Sequence, residues 1–117
     1  MFQPKLSVIT VVFNNARDIE RTMLSVLEQT YANIEYIIID GLSNDGTIDI
    51  IRKYRDRIKL VSEKDNVIYY AMNKGLNIAN GDYVLFMNSG DEIYATNTVD
   101  KVFASAEDAD IYYGEND

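Results

Sequence analysis

The sequence of 117 residues predicts an α/β fold in which a parallel β-sheet lies between two layers of helices. Three observations support this prediction. Short runs dominated by apolar and β-branched residues recur along the chain, as in strands that are buried on both faces. Stretches with apolar residues at helical spacing separate these runs. The resulting alternation is that of βαβ units, whose right-handed crossovers build a three-layer structure.

The first strand and the first helix occupy the N-terminal part of the chain. An almost continuous apolar run predicts a strand over Leu6–Phe13. Asn15 is typical of a helix N-cap, and Asp18 stands at the reciprocal capping position three residues later. The apolar residues that recur at helical spacing after this cap are Ile19, Met23, Val26 and Leu27.

The middle of the chain repeats the pattern twice. Ile34–Ile39 predicts a second buried strand, and residues 40–46 form a dense cluster of turn-forming residues. Ile58–Val61 predicts a short third strand. The residues predicted to face inward are Ile48, Ile51 and Tyr54 in the helix before this strand, and Ile68, Met72 and Leu76 in the helix after it.

The last predicted elements are a strand over Tyr83–Met87 and a helix that begins at an Asn97 cap. The residues of this helix predicted to face inward are Val99, Val102 and Phe103. The sequence has no internal repeat and no apolar run that approaches 18 residues. We therefore expect residues 1–117 to form one domain without a membrane span.

The composition excludes several classes of protein. The formal net charge is −8, from 11 basic and 19 acidic residues. Such a chain is not expected to bind nucleic acid or an anionic membrane, since both require a basic surface. Cysteine and histidine are absent, so any metal must be held by oxygen ligands. The N-terminus is not that of a signal peptide, which predicts a cytoplasmic location.

Much of the negative charge lies at the C-terminus. Residues 107–117 contain five acidic residues and no basic one. This segment is interpreted either as a solvated acidic tail or as part of a larger fold. In the second interpretation Asp110–Tyr113 is a strand whose neighbours lie further along the chain.

Polar residues follow three of the four predicted strands. Asn14 comes after the first strand, Asp40 after the second, and the segment Asn88–Asp91 after the fourth. Ligands of open parallel sheets bind outside the carboxyl ends of the strands, so Asp40 and Asp91 are expected to face one crevice. Asp and Asn are also common in turns, which leaves a purely structural role as the alternative.

The sequence lacks the two common loops that bind phosphate through backbone amides. It contains neither G-x-x-x-x-G-K-[ST] nor G-x-G-x-x-G after the first strand. A phosphate would therefore require a cation. A divalent metal at Asp91 is one candidate, and Lys74 is another, although a lysine on a helix is more often solvated.

Three segments resemble those of family 2 glycosyltransferases with a GT-A fold. They are LSVITVVFNN, LEQTYANIEYIIIDGLSNDGT and YYAMNKGLNIANGDYVLFMNSGD, in the order that the family has. The bacterial branch that makes surface polysaccharides is the most similar. The resemblance implies a Rossmann-like, three-layer sheet of the nucleotide-diphospho-sugar transferase type. It also implies inverting transfer of a sugar from a UDP- or GDP-type donor to a hydroxyl of a glycan or lipid-linked acceptor.

The resemblance also implies roles for individual residues. Asp40 matches the acid that accepts a hydrogen bond from the base, and Phe13 matches an aromatic residue that packs near the base. Asp45 matches a later acid that shapes the turn. The positions that match the donor nucleotide site are Thr10, Val11, Phe13, Asn14, Asp40, Lys74, Asn88 and Ser89.

The metal site implied by the resemblance is a D-x-D motif that binds Mg²⁺ or Mn²⁺. Here the motif corresponds to the segment Asn88–Asp91, in which Asp91 is the remaining acid and Asn88 is a second candidate ligand. The sequence departs from the family elsewhere too. The usual D-D-G-S turn reads D-G-L-S, and Tyr70 replaces the usual Asp of the helix before the fourth strand.

The resemblance covers only the first half of a typical family member. We therefore expect the catalytic base beyond Asp117 and assign no catalytic residue within the chain. The chain is expected to bind the donor, to be inactive alone, to self-associate through exposed parts of an incomplete sheet, and to lie in the cytoplasm or at the inner membrane face. The alternatives are a receiver-like phosphoacceptor, which needs acids where Asn14 and Asn15 stand, and a nucleotidyltransferase, which needs a glycine-rich loop.

Overall fold

The computed structural model describes residues 3–64 and 68–106 of the chain. Four strands alternate with four α-helices in this part, and a short 3₁₀ turn precedes the third strand. The strands are β1 (Leu6–Val12), β2 (Ile34–Asp40), β3 (Lys59–Ser62) and β4 (Tyr83–Asn88). The helices are α1 (Ile19–Leu27), α2 (Thr47–Arg52), α3 (Ile68–Ile78) and α4 (Thr98–Ala106). The predicted strand–helix alternation is confirmed, with bounds that move by one or a few residues.

The four strands form one parallel sheet in the order β3-β2-β1-β4. Helices α1, α2 and α4 pack on one face of the sheet, and α3 packs on the other. The predicted α/β fold with a parallel central sheet is therefore confirmed. The chain moves outward from β1 to β3, then crosses to the far side of β1, so the direction of winding reverses between β1 and β4.

The core consists of two layers because successive strand residues point to opposite faces. Val8 and Ile38 face the layer of α1, α2 and α4, whereas Ile9, Ile37 and Ile39 face α3. All five side chains are fully buried. Burial on both faces explains why these strands read as apolar runs in the sequence.

The start of α1 differs from the prediction. Helix α1 begins at Ile19, and the side chain of Asp18 makes no capping hydrogen bond. The predicted cap at Asn15 is wrong, because residues 16–18 form a turn in which the carbonyl of Asn15 accepts the N–H groups of Asp18 and Ile19. The side chain of Asn15 is used elsewhere.

The inward face of α3 also differs from the prediction. Leu76 is exposed, whereas Ala71 is buried against the sheet. Gly75 shows the reason, since a Cβ atom at this position would lie 2.5 Å from Cγ2 of Ile9. The helix thus approaches the sheet through small residues, which a search for large apolar side chains does not detect.

Two further helix predictions are partly confirmed. Val99 and Phe103 of α4 are buried as predicted, but Val102 is exposed. Ile51 of α2 is buried as predicted, whereas Tyr54 lies after the end of the helix and is half-buried. Both interpretations of residues 107–117, and the inward placement of the Ile68 side chain, lie outside what the structure describes.

A buried carboxylate joins the strands at the amino edge of the sheet. Oε1 of Glu35 accepts the Ser7 hydroxyl at 2.6 Å and the N–H of Asn80 at 3.0 Å, and Oε2 accepts the ammonium group of Lys59. The hydroxyl oxygen of Ser7 in turn accepts the N–H of Gly81 at 2.9 Å. Burial raises the pKa of Glu35, but the bonds from Asn80, Lys59 and Ser7 outweigh it and lower the pKa to about 2. This carboxylate ties β1, β2 and β3 to the turn before β4.

The part of the chain that the structure describes contains no helix that is both long enough and apolar enough to cross a membrane.

We predict that Glu35→Gln lowers the free energy of unfolding by about 2 kcal/mol at pH 7. The substitution removes the charge that pairs with the half-exposed Lys59, and it places an amide N–H₂ donor where a buried carboxylate accepts hydrogen bonds from Ser7 and Asn80. Urea denaturation followed by circular dichroism measures this change. Glu28→Gln, at an exposed position after α1, is the matched control and should change stability by less than about 0.5 kcal/mol. Equal effects of the two substitutions would contradict the role given to Glu35.

The same group predicts how stability depends on pH. The pKa of Glu35 is lower in the folded state than in the unfolded state, so its contribution is complete above its ordinary value of 4.5 and is lost as the pH falls towards 2. We expect the difference in unfolding free energy between the wild type and Glu35→Gln to shrink over this interval. A difference that stays constant from pH 7 to pH 2.5 would contradict this expectation.

Candidate functional site

The carboxyl edge of the sheet gathers the segments that follow the strands. The direction of winding reverses between β1 and β4, and in open α/β sheets the crevice that binds ligands lies at such a reversal, outside the carboxyl ends of the strands. Three segments border the crevice: the loop 13–18 after β1, the loop 41–46 after β2 and the turn 88–91 after β4. The site residues predicted from strand ends lie in or beside these segments.

Asp40 ends β2 and is fully buried. Its carboxylate accepts the N–H of Ser43 at 2.9 Å, the hydroxyl of Ser43 at 2.5 Å and the hydroxyl of Ser62 at 3.0 Å. A carboxylate can accept about four hydrogen bonds, so one acceptor position remains. Asp40 therefore organises the loop after β2, and a ligand reaches it only if the covering loop shifts.

Ser62 is a residue of this site that the sequence reasoning missed. It is the last residue of β3 and lies at the same edge as Asp40, with which it pairs in the sheet register. Its position after the apolar run of a strand is the same signal that singles out Asn14 and Asp40. The apolar pattern of the short third strand ends at Val61, so it places Ser62 in a loop.

The loop after β1 is held against the loop after β2 by reciprocal bonds. The N–H of Asn14 donates to Oγ of Ser43 at 2.8 Å, and Oδ1 of Asn14 accepts the N–H of Asn44 at 2.8 Å. Asn14 has φ +48°, in the left-handed region that Asn tolerates better than most residues. The turn that Asn14 makes depends on its side chain and on its partners in the neighbouring loop.

Asp45 fixes the same two loops from the other side. Its carboxylate accepts the hydroxyl of Thr47 at 2.5 Å, the N–H of Thr47 at 3.0 Å and the N–H of Ala16 at 3.2 Å. The hydrogen bond from the Thr47 hydroxyl is the main cause that lowers the pKa of Asp45, and hydrogen bonds from backbone N–H groups lower it further against a smaller opposing effect of burial. The turn-shaping role that the resemblance implied for Asp45 agrees with these contacts.

Two apolar side chains stand exposed at the carboxyl edge. Phe13 is 61% exposed and Leu42 is 52% exposed. Phe13 lies against the backbone of Gly41, where an added Cβ would be 3.4 Å from its ring. Leu42 has φ +65°, which costs a leucine about 1 kcal/mol. Exposed aromatic and aliphatic surface of this kind suits the face of a planar base.

The predicted site residues within β1, Thr10 and Val11, have side chains that pack against other parts of the protein. Thr10 is fully buried, and its hydroxyl is hydrogen-bonded to that of Tyr36 at 2.7 Å, where burial raises the pKa of the tyrosine. Val11 packs against the core layer on the α3 side. Neither side chain borders the crevice as Phe13 and Asn14 do.

The turn after β4 is built around Asp91. Oδ2 of Asp91 accepts the N–H of Asn88 at 3.1 Å, and the N–H of Asp91 donates to the carbonyl of Asn88 at 3.0 Å. Gly90 has φ +101°, a conformation that favours glycine. Its N–H donates to the hydroxyl of Thr22 in α1 at 2.7 Å. No sequence pattern points to Thr22 as a residue of this site, since it lies within the regular pattern of α1.

The donor set of this turn suits a metal ion that is shared with a ligand. No group of three or more Asp or Glu side chains forms a metal cluster within residues 3–64 and 68–106. Asp91 and Asn88 are both exposed, and they offer one carboxylate and one amide oxygen. Mg²⁺ is commonly held by one or two carboxylates together with phosphate oxygens and water, so these residues fit such an ion.

Lys74 of α3 lies at the same edge and forms an ion pair with Glu63, with 2.6 Å between Nζ and Oε1. Glu63 follows β3, and its N–H donates to the carbonyl of Asp40 at 2.9 Å. The Lys74 ammonium group is thus held near the loop that Asp40 organises. Its charge is already balanced by a carboxylate.

Comparison with known proteins identifies the family. The family model described as "Glycosyl transferase family 2" matches residues 7–117. The chain belongs to glycosyl transferase family 2. The resemblance found in the sequence is thereby confirmed.

Relatives of this family 2 chain come from bacteria. A "PGL/p-HBAD biosynthesis glycosyltransferase" of Mycobacterium bovis is 30% identical over 122 aligned residues, which cover 98% of this chain and 48% of that protein. TuaG of Bacillus subtilis, named for teichuronic acid biosynthesis, is 41% identical over 95 residues, which cover 78% of this chain and 38% of that protein. The chain spans about half, or less, of the length of these relatives.

Solved structures similar to this family 2 chain have the GT-A fold. S. aureus TarS in complex with UDP-GlcNAc has a TM-score of 0.82 and 27% identity, over 89% of this chain and 31% of that one. The mannosyltransferase PcManGT from Pyrobaculum calidifontis, in complex with GDP-Man and Mn²⁺, has a TM-score of 0.78 and 26% identity, over 85% of this chain and 31% of that one. The GT-A fold expected from the sequence is confirmed.

We predict that Gly90→Ala lowers the free energy of unfolding by about 1–2 kcal/mol, because alanine is strained at φ +101°. Thermal unfolding measures the effect. Gly41→Ala is the matched control, because its added Cβ would make only an ordinary contact with the Phe13 ring. We expect the control to change stability by less than about 0.5 kcal/mol. A larger loss in Gly41→Ala than in Gly90→Ala would contradict the role given to Gly90.

Proposed function

We propose that this chain is the donor-binding part of a glycosyltransferase that transfers a sugar from a nucleoside-diphosphate sugar to an acceptor hydroxyl in bacterial glycan synthesis. The observation that carries the proposal is the arrangement of Asp40 and Asp91 in segments that border one crevice of a family 2 chain. The complexes of TarS with UDP-GlcNAc and of PcManGT with GDP-Man and Mn²⁺ support a donor of this class.

The two sides of the crevice suit the two parts of such a donor. Phe13 and Leu42 offer apolar surface to the base, beside the loop that Asp40 organises. Asp91 and Asn88 offer oxygen atoms on the other side, where a diphosphate would lie. We propose that the donor spans the crevice in this orientation.

Mg²⁺ or Mn²⁺ bound by Asp91 and Asn88 would neutralise the charge that grows on the diphosphate leaving group. The protein residues contribute orientation: the β4 turn holds Asp91, and the ion pair with Glu63 holds Lys74 near the α3 side of the edge. An inverting reaction also needs a base that removes the proton of the acceptor hydroxyl. We propose that this base and the acceptor site belong to the part of the enzyme that the longer relatives have in addition to this stretch.

We predict that the chain binds UDP or GDP more tightly in the presence of Mn²⁺, and that Asp91→Asn removes most of this gain. Loss of the carboxylate should weaken binding of the Mn²⁺–diphosphate about tenfold, which corresponds to about 1.4 kcal/mol. Isothermal titration calorimetry with UDP and with GDP, each with Mn²⁺ and with EDTA, measures the effect.

Asp49→Asn is the matched control, since Asp49 is exposed in α2. We expect it to bind both nucleotides as the wild type does. Failure of the wild type to bind either nucleotide, with or without Mn²⁺, would refute the proposed function. If Asp91→Asn and Asp49→Asn lost the same amount of affinity, the role given to Asp91 would be refuted, but the proposed function would not.

A further inference from the structure

Asn15 lies between the loop after β2 and the turn after β4. Its backbone N–H donates to Oγ1 of Thr47 at 3.0 Å, and its side-chain Nδ2 donates to Oγ of Ser89 at 3.0 Å. Its carbonyl accepts the N–H groups of Asp18 and Ile19, which lead into α1. A single residue therefore contacts the structure on both sides of the crevice.

The contacts of Asn15 complete a path across the crevice. Asp40 accepts the hydroxyl of Ser43, whose oxygen accepts the N–H of Asn14. The next residue, Asn15, donates to Ser89 in the turn that carries Asp91. Hydrogen bonds and one peptide unit thus connect the carboxylate at the end of β2 with the turn after β4.

The remaining bonds that hold the β4 turn come from the scaffold instead. The N–H of Ser89 donates to the carbonyl of Val11 in β1 at 3.2 Å, and the N–H of Gly90 donates to Thr22 in α1. The Asn15 amide also lies against the turn, since a Cβ on Gly90 would be 3.9 Å from Nδ2. The Asn15 side chain thus connects the turn after β4 with the loop after β1, which is itself bonded to the loop that Asp40 organises.

We propose that Asn15 is a positioning residue that fixes the separation between the base side and the diphosphate side of the donor site. This inference rests on the proposed function. A ligand that spans both sides gains affinity when their separation is set before it binds, whereas a ligand that occupies one side gains nothing from the link. Loss of the Asn15 side chain therefore affects the two kinds of ligand differently.

The test compares Asn15→Ala with Asn77→Ala, a matched control at an exposed position of α3. The probes are UDP and GDP with Mn²⁺, which span the crevice, and uridine and guanosine, which occupy only the base side. We expect Asn15→Ala to weaken binding of the preferred diphosphate about tenfold and to leave the affinity for its nucleoside within about twofold. Equal losses for diphosphate and nucleoside, or no loss for either, would overturn the proposal.

A second measurement on the free protein separates this inference from the proposed function. In two-dimensional NMR spectra, Asn15→Ala should shift the amide signals of Ser89 and Gly90, and Asn77→Ala should not. If the wild type binds no nucleotide, the proposed function fails, and the positioning role for a donor fails with it. If the wild type binds but the signals of Ser89 and Gly90 do not shift, only the inference about Asn15 fails.

Ser89→Ala cuts the same link from the other side and serves if Asn15→Ala does not fold, which thermal unfolding detects. It should shift the side-chain amide signal of Asn15 and reproduce the selective loss for the diphosphate. An unchanged Asn15 signal would overturn the proposal.

Discussion

The buried carboxylate of Asp40 is the constraint on which the carboxyl edge of the sheet depends. A carboxylate removed from water is costly unless hydrogen bonds replace its hydration. The replacement comes from Ser43 in the next loop and Ser62 at the end of β3, so the loop after β2 must close over the strand end. The position of Ser43 then fixes Asn14 and with it the loop after β1. The hydrogen bonds that the buried Asp40 carboxylate requires therefore determine how the loops after β1 and β2 are arranged.

A second buried carboxylate fixes the opposite end of the same strand. Glu35 lies at the amino edge of the sheet, and its bonds reach Ser7 in β1, Lys59 in β3 and the turn before β4. Glu35 and Asp40 are five residues apart on β2 and therefore point to opposite faces of the sheet. If β2 shifted by one residue along its neighbours, each carboxylate would move to the opposite face of the sheet and lose its hydrogen-bond partners. The apolar residues in the middle of β2 fit either face, so the two carboxylates at its ends determine the register.

The predictable parts of this molecule are those that depend on local pattern. Buried parallel strands read as apolar runs, and the parallel topology alone places Asp40 and Asp91 at one edge. The inner face of α3 was missed because Ala71 and Gly75, the residues closest to the sheet, are small. The contacts of Asn15 could not be predicted from the sequence, because its hydrogen-bond partners Thr47 and Ser89 lie 32 and 74 residues away along the chain. A local capping pattern suggested a different partner.

The negative charge of the protein explains why the proposed donor site would need a metal ion. A chain with a net charge of −8 repels a diphosphate, and the ammonium group of Lys74 is already balanced by Glu63. Asp91 brings a further negative charge to the side where the diphosphate would lie. One carboxylate and one amide hold a divalent cation weakly by themselves, but phosphate oxygens can complete the coordination. We therefore expect the cation and the diphosphate to bind together, since each supplies the charge that makes the other's binding favourable. We expect the affinity for a donor at this site to depend as well on how firmly the β4 turn is held by its contacts with Val11, Asn15 and Thr22.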